Sequence, residues 1–119
     1  MKKLFVSVPM KGRTDEEIRA NIIKMKTIAE AYEGEALELI DSYITENPPI
    51  DNRQAIWYLA KALEKLSEAD LFVSIDGYWN WNGCVIEVET ARRYGIKSYF
   101  IPTSIIIEEK CIVENCTVN

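Results

Sequence analysis

The most constraining feature of this chain is an alternation of short apolar runs with longer segments of helical period. The runs are Leu4–Val8, Ala36–Ile40, Asp70–Ile75 and Ser98–Ile101. Between them, Ile18, Ile22, Met25, Ile28 and Tyr32 recur at helical spacing, as do Ile56, Leu59, Ala60, Leu63 and Leu66. Strands buried on both faces read as apolar runs, and strands that alternate with helices pair in parallel. The pattern predicts right-handed β-α-β units building one small doubly wound α/β domain over residues 1–119, with helices on both faces of the sheet.

Local signals set the boundaries. Thr14-Asp15-Glu16-Glu17 is a capping box, and Gly34 is a stop, which places the first helix over about 15–33. Asp51 is expected to cap a second helix over about 52–67, and Gly83 to open a third over about 84–94. Asp70 is expected to fix the turn before the third strand. The tail 104–119, with Ile105-Ile106-Ile107 and Ile112-Val113, is expected to add an edge strand or hairpin.

Composition narrows the chemistry. The 119 residues carry a net charge of −5, which disfavours nucleic acid and anionic membrane surfaces as partners. There is no histidine, so imidazole bases, His-based triads and His-containing metal sites are excluded. Catalysis would fall to carboxylates, Cys, Lys, Tyr or Ser. Cys84, Cys111 and Cys116 are odd in number and lack CxxC spacing, which fits neither a disulfide framework nor a zinc knuckle. No metal and no cofactor is expected. The opening Met1-Lys2-Lys3 runs straight into an apolar strand with no leader pattern, so a cytoplasmic, reduced location is expected.

Ligands of doubly wound sheets sit beyond the C-terminal strand ends, where the strand order reverses. With the order 2-1-3-4, that crevice lies between the first and third strands. Two loops flank it. Ser7-Val8-Pro9-Met10-Lys11-Gly12-Arg13 leads into a helix N-terminus and reads either as a seat for a phosphate or ribose or as a solvated turn. Asp76-Gly77-Tyr78-Trp79-Asn80-Trp81-Asn82-Gly83 offers aromatic rings that would stack on a planar base or cover the core or an interface. In Gly83-Cys84-Val85-Ile86-Glu87-Val88-Glu89-Thr90-Ala91, Glu87 shares a helical face with Cys84, Val88 and Ala91. It is either a carboxylate aimed into the crevice or a residue snorkelling at the edge of the core. Glu89 should be solvated. With no His to activate it, Cys84 reads as a packing residue beside the crevice more than as an acidified thiol.

Taken together, Ser7-x-Pro9-Met10-x-Gly12, Ala69-Asp70, the aromatic loop leading into Gly83-Cys84-Val85-Ile86-Glu87-x-x-x-Ala91, and Tyr94-Gly95-Ile96-Lys97 resemble the nucleoside 2-deoxyribosyltransferase-like superfamily. They are most similar to its small phage and bacterial members of unknown function, over about residues 3–102. The resemblance implies a flavodoxin-like fold, a nucleoside or nucleotide ligand and a nucleophilic Glu at Glu87. It also implies transfer of the sugar to a second base, or hydrolysis. Two positions depart from the family pattern. Ala62 stands where relatives carry a supporting Asp, and Trp81 stands where the hydrolase branch has a phosphate-binding Ser. A non-catalytic protein that binds or sequesters a nucleotide signal is the alternative. The expected pocket holds Glu87 among Ser7, Pro9, Met10, Asp76, Gly83 and Cys84, with Tyr78 or Trp79 as a wall and Lys11, Gly12 and Arg13 toward a phosphate. A homo-oligomer is also expected, a dimer or dimer of dimers. Its grounds are the apolar loop and tail, and a neighbouring subunit would complete the site.

Overall fold

The computed structural model describes residues 1–106. Its elements follow in the order β1 (Lys3–Val6), α1 (Asp15–Glu33), β2 (Glu38–Leu39), α2 (Gln54–Leu66), β3 (Leu71–Ile75), a 3₁₀ turn (Tyr78–Asn80), α3 (Asn82–Arg93) and β4 (Lys97–Ile101). The four strands are all parallel, in the order β2-β1-β3-β4, with Val6 opposite Val73 and Val73 opposite Tyr99. This is the small, doubly wound flavodoxin-like architecture expected from the alternation of runs.

Strand alternation sends side chains to two cores. Leu4, Val6, Val73 and Ile75 face α1, where Met25 and Ala29 are buried. Phe5 and Phe72 face α2 and α3, against Leu66, Val88 and Ala91. The two Phe rings stack at 6.0 Å across neighbouring strands. Each such side chain, taken out of water, contributes about 1.5–3 kcal/mol.

The capping box forms as read. Thr14 accepts from the Glu17 N–H, Glu17 accepts from the Thr14 N–H, and Gly34 closes α1 in the left-handed conformation at φ 79°. Asp70 accepts from the Lys3 N–H at 2.8 Å, so it ties the approach to β3 to the start of β1.

Three expectations need correction. α2 starts at Gln54 behind Arg53, which makes no side-chain cap, so Asp51 lies outside the helix. β2 is only two residues long, Glu38–Leu39, although the Ile40 N–H still donates to the Leu4 carbonyl of β1 at 2.9 Å. Residues 104–106 form a helical turn in place of a strand: Ile105 and Ile106 donate to the carbonyls of Pro102 and Thr103. The rest of the tail, including Cys111 and Cys116, lies outside the described residues. Among the described residues no helix is long and apolar enough to cross a membrane.

Candidate functional site

The site is built where β1 and β3 end and α3 begins. Ser7 follows β1 and extends its pairing by one bond, from its N–H to the Val73 carbonyl at 2.8 Å. By alternation its side chain lies on the Phe5 side of the sheet, facing α3. There the Ser7 hydroxyl, 1 % exposed, donates to Oε1 of Glu87 at 2.6 Å. Glu87 sits in the second turn of α3, between the buried Cys84 and Ala91. Burial pushes its carboxyl up to about 7, and the Ser7 hydrogen bond works against that rise.

Glu87 is not drawn away by cations. Arg92 and Arg93 both pair with Glu89, at 3.0 and 3.1 Å, so Glu89 is the surface carboxylate of this helix. Glu87 lines a cavity of about 360 Å³. Pro9, Met10 and Lys11 come to it from the loop after β1. Asn80 and Trp81 come from the 3₁₀ turn and its exit, Asn82, Gly83 and Cys84 from the start of α3, Ala62 from α2, and Ser42 from the loop after β2.

The start of α3 is suited to an anion. Trp81 provides no side-chain cap, and the first turn of Asn82, Gly83 and Cys84 has no acidic residue. Its leading N–H groups therefore have no intrahelical partner. A Cβ on Gly83 would meet nothing within 4 Å, so the backbone there is open to the cavity. The start of α1 is different. Its capping box already supplies acceptors, and Asp15, Glu16 and Glu17 fill its first turn with negative charge. Lys11 lines the cavity whereas Arg13 does not.

The structure thus brings Ser7, Pro9, Met10, Lys11, Gly83, Cys84 and Glu87 together, and it places Gly12, Arg13, Asp76, Tyr78 and Trp79 outside the cavity lining. Asp76 accepts from both the N–H and the hydroxyl of Thr103, and these bonds hold its carboxyl below the usual range. The same hydroxyl accepts from the Gly77 N–H, and it sits where a Cβ on Gly77 would have to go. Tyr78 packs on Phe100 with ring centres 5.7 Å apart. The 3₁₀ turn rolls Trp79 outward, to 67 % exposure, and brings Trp81 in as the aromatic wall. Sequence reasoning missed Ser42, Asn80, Trp81 and Asn82 as lining. The flanking of Gly83 by Asn80-Trp81-Asn82 was the available signal.

Cys84 is buried and its thiol is pushed up to about 11, first by burial and then by the nearby Glu87, with Ser7 opposing. At pH 8 it should alkylate with iodoacetamide far more slowly than an unhindered thiol, measured at the Cys84 peptide by mass spectrometry. Labelling at the free-thiol rate would contradict this placement.

Comparison with protein-family models, with curated proteins and with solved structures found no match for this chain.

Proposed function

We propose that the protein acts on the N-glycosidic bond of a nucleoside or nucleotide, with Glu87 as nucleophile. One observation carries the reading: a half-buried carboxylate, held by a serine hydroxyl, at a cavity that opens on an uncapped helix N-terminus. The resemblance to nucleoside 2-deoxyribosyltransferase-like proteins supplies the reaction class. A Glu87 oxygen attacks C1′, the C1′–N bond breaks, and its electron pair leaves with the base, which takes a proton from solvent. Water then adds its oxygen to C1′ and loses a proton, and the carboxylate is freed; in transfer a second base nitrogen takes the place of water. Neither step requires a metal or histidine.

Phosphate recognition belongs to Lys11 and the α3 N-terminus in this reading. Lys11→Ala should weaken binding of a 5′-monophosphate by about tenfold, the scale of one charge-assisted contact, and leave the nucleoside unaffected. Arg13→Ala should change neither. Calorimetric titration of both variants measures this, and equal loss in both would place the phosphate at the start of α1 rather than at α3.

The second reading, a protein that binds a nucleotide without turnover, is favoured by Ala62, which lines the cavity with a methyl group where relatives carry a carboxylate. A panel of nucleosides and monophosphates, followed for binding and for free base, separates the two. Base release by the wild type but not by Glu87→Gln supports the enzyme, and binding without release supports sequestration. Absence of both removes the nucleotide ligand altogether.

We further propose that the chain self-associates as a dimer or a dimer of dimers. Ile56 and Trp79 are 63 % and 67 % exposed, more apolar surface than a small acidic monomer usually shows. Light scattering at micromolar concentration should give at least a dimer. A monomer would leave the site to the residues of one chain and favour the binding reading.

A further inference from the structure

The 3₁₀ turn at Tyr78–Asn80 carries Asn80 and Trp81 into the cavity wall, yet no side chain caps it. So short a turn has too few internal bonds to hold one orientation, and its placement falls to whatever grips its two ends. The exit is held by α3, where the Trp81 carbonyl accepts from the Val85 N–H at 3.0 Å. The entrance is held by Thr103.

The Thr103 hydroxyl accepts from the Gly77 N–H at 2.7 Å and donates to Oδ1 of Asp76 at 2.7 Å. The same Asp76 oxygen accepts from the Thr103 N–H at 3.0 Å, and the Asp76 N–H donates to the carbonyl of Ile101, the last residue of β4, at 2.8 Å. The hydroxyl is therefore fixed relative to the sheet. On the other side of Gly77, its carbonyl accepts from the N–H and from the side-chain amide of Asn80, at 3.3 and 3.2 Å. Gly77 alone thus links Thr103 to the cavity wall. Its φ of −95° is open to any residue, so what requires glycine there is space: a Cβ would lie 2.5 Å from the Thr103 hydroxyl oxygen.

We propose that Thr103, which does not line the cavity, is a positioning residue for its aromatic wall: through Gly77 it sets the angle of the 3₁₀ turn and holds Trp81 inward against the ligand. The ligand in this statement rests on the nucleotide reading above; the placement of Trp81 does not.

Thr103→Val keeps the shape and removes both hydroxyl bonds, whereas Thr103→Ser keeps the hydroxyl. In a chain with Trp57 and Trp79 replaced by Phe, acrylamide quenching of fluorescence reports Trp81 alone. Thr103→Val should raise that quenching toward the level of an exposed indole. It should also weaken binding of whichever common nucleoside 5′-monophosphate the wild type binds by about tenfold, the scale of one buried hydrogen bond. Thr103→Ser should restore both. Gly77→Ala should act like Thr103→Val, because its methyl group and the hydroxyl contend for one place. In a Thr103→Ala background it should add nothing, since the nearest remaining Thr103 atom is then 3.4 Å away. Unchanged quenching in Thr103→Val and Gly77→Ala would overturn the proposal, as would quenching that rises while monophosphate affinity holds. Where the wild type binds no monophosphate, the glycosidic reading falls and quenching by itself decides the placement of Trp81. The wild type supplies a measure that no unfolded variant can spoil. Its Gly77 amide should exchange with deuterated solvent far more slowly than an unprotected amide, and exchange at the free rate would also overturn the proposal.

Discussion

Glu87→Gln is expected to end release of free base from any nucleoside or nucleotide substrate and, at pH 8, to raise the thermal midpoint by several degrees. Loss of cleavage follows from loss of the nucleophile. The gain in stability follows from the folded environment. The Glu87 carboxyl titrates near 4.5 when unfolded and about 7 when folded. Between those values the native state holds more protons than the unfolded chain, so stability falls as pH rises, and above pH 7 the cost is complete. That cost is at most roughly 3 kcal/mol, and water at the half-buried side chain reduces it. Gln keeps the shape and can still accept from Ser7. At pH 4 both side chains are neutral and the two midpoints should converge. Unfolding scans at pH 4 and pH 8 check the stability claim, and chromatography of free base checks the chemistry. A variant less stable than wild type at pH 8 would mean that the carboxylate is held there without cost. If Glu87 is the nucleophile, wild-type cleavage should rise through about pH 7 as it ionises.

Glu33→Gln should act in the opposite sense, lowering the midpoint at pH 7. Glu33 ends α1, and its side chain is 5 % exposed. It accepts from Lys2 at 2.8 Å, from Lys97 at 3.0 Å and from the Tyr99 hydroxyl. The Lys2 and Tyr99 hydrogen bonds, with Lys97 behind them, pull its carboxyl down to about 2. This is below its ordinary value of 4.5, so its contribution is complete above pH 4.5 and is lost as pH falls toward 2. Gln can accept at one oxygen only and carries no charge to hold two ammonium groups. The wild type should therefore lose stability between pH 4.5 and 2 more steeply than the variant. Acid-unfolding curves of the two proteins, followed by circular dichroism, test this. Parallel curves would show that the three bonds add nothing to the fold.

The alternation of apolar runs with helical segments made the parallel sheet legible: β1 and β3 are buried on both faces and read as continuous apolar runs, whereas the exposed β2 was legible only from its place in the alternation. Thr14 and Glu17 made the start of α1 legible for a different reason: their capping bonds span only three residues. Glu87 and Ser7 were both named from sequence, yet their contact joins positions 80 residues apart and follows only from the pairing of β1 with β3. Trp79 was expected as a wall of the pocket, and Trp81 lines it instead. Which ring turns inward depends on the 3₁₀ turn at Tyr78–Asn80, a matter of a few backbone dihedrals that residue type does not dictate.

The cluster at Glu33 also bears on how long the native state lasts. Its three bonds close separations of 31, 64 and 66 residues, joining the end of α1 to Lys2, just before β1, and to β4. These are side-chain bonds between the ends of elements, so they can form only once α1, the start of β1 and β4 are already packed together. They should be largely absent from the folding transition state. Removing them should then speed unfolding while refolding keeps nearly its original rate, so that Glu33 sets the lifetime of the folded molecule and leaves the speed of its formation to the central strands.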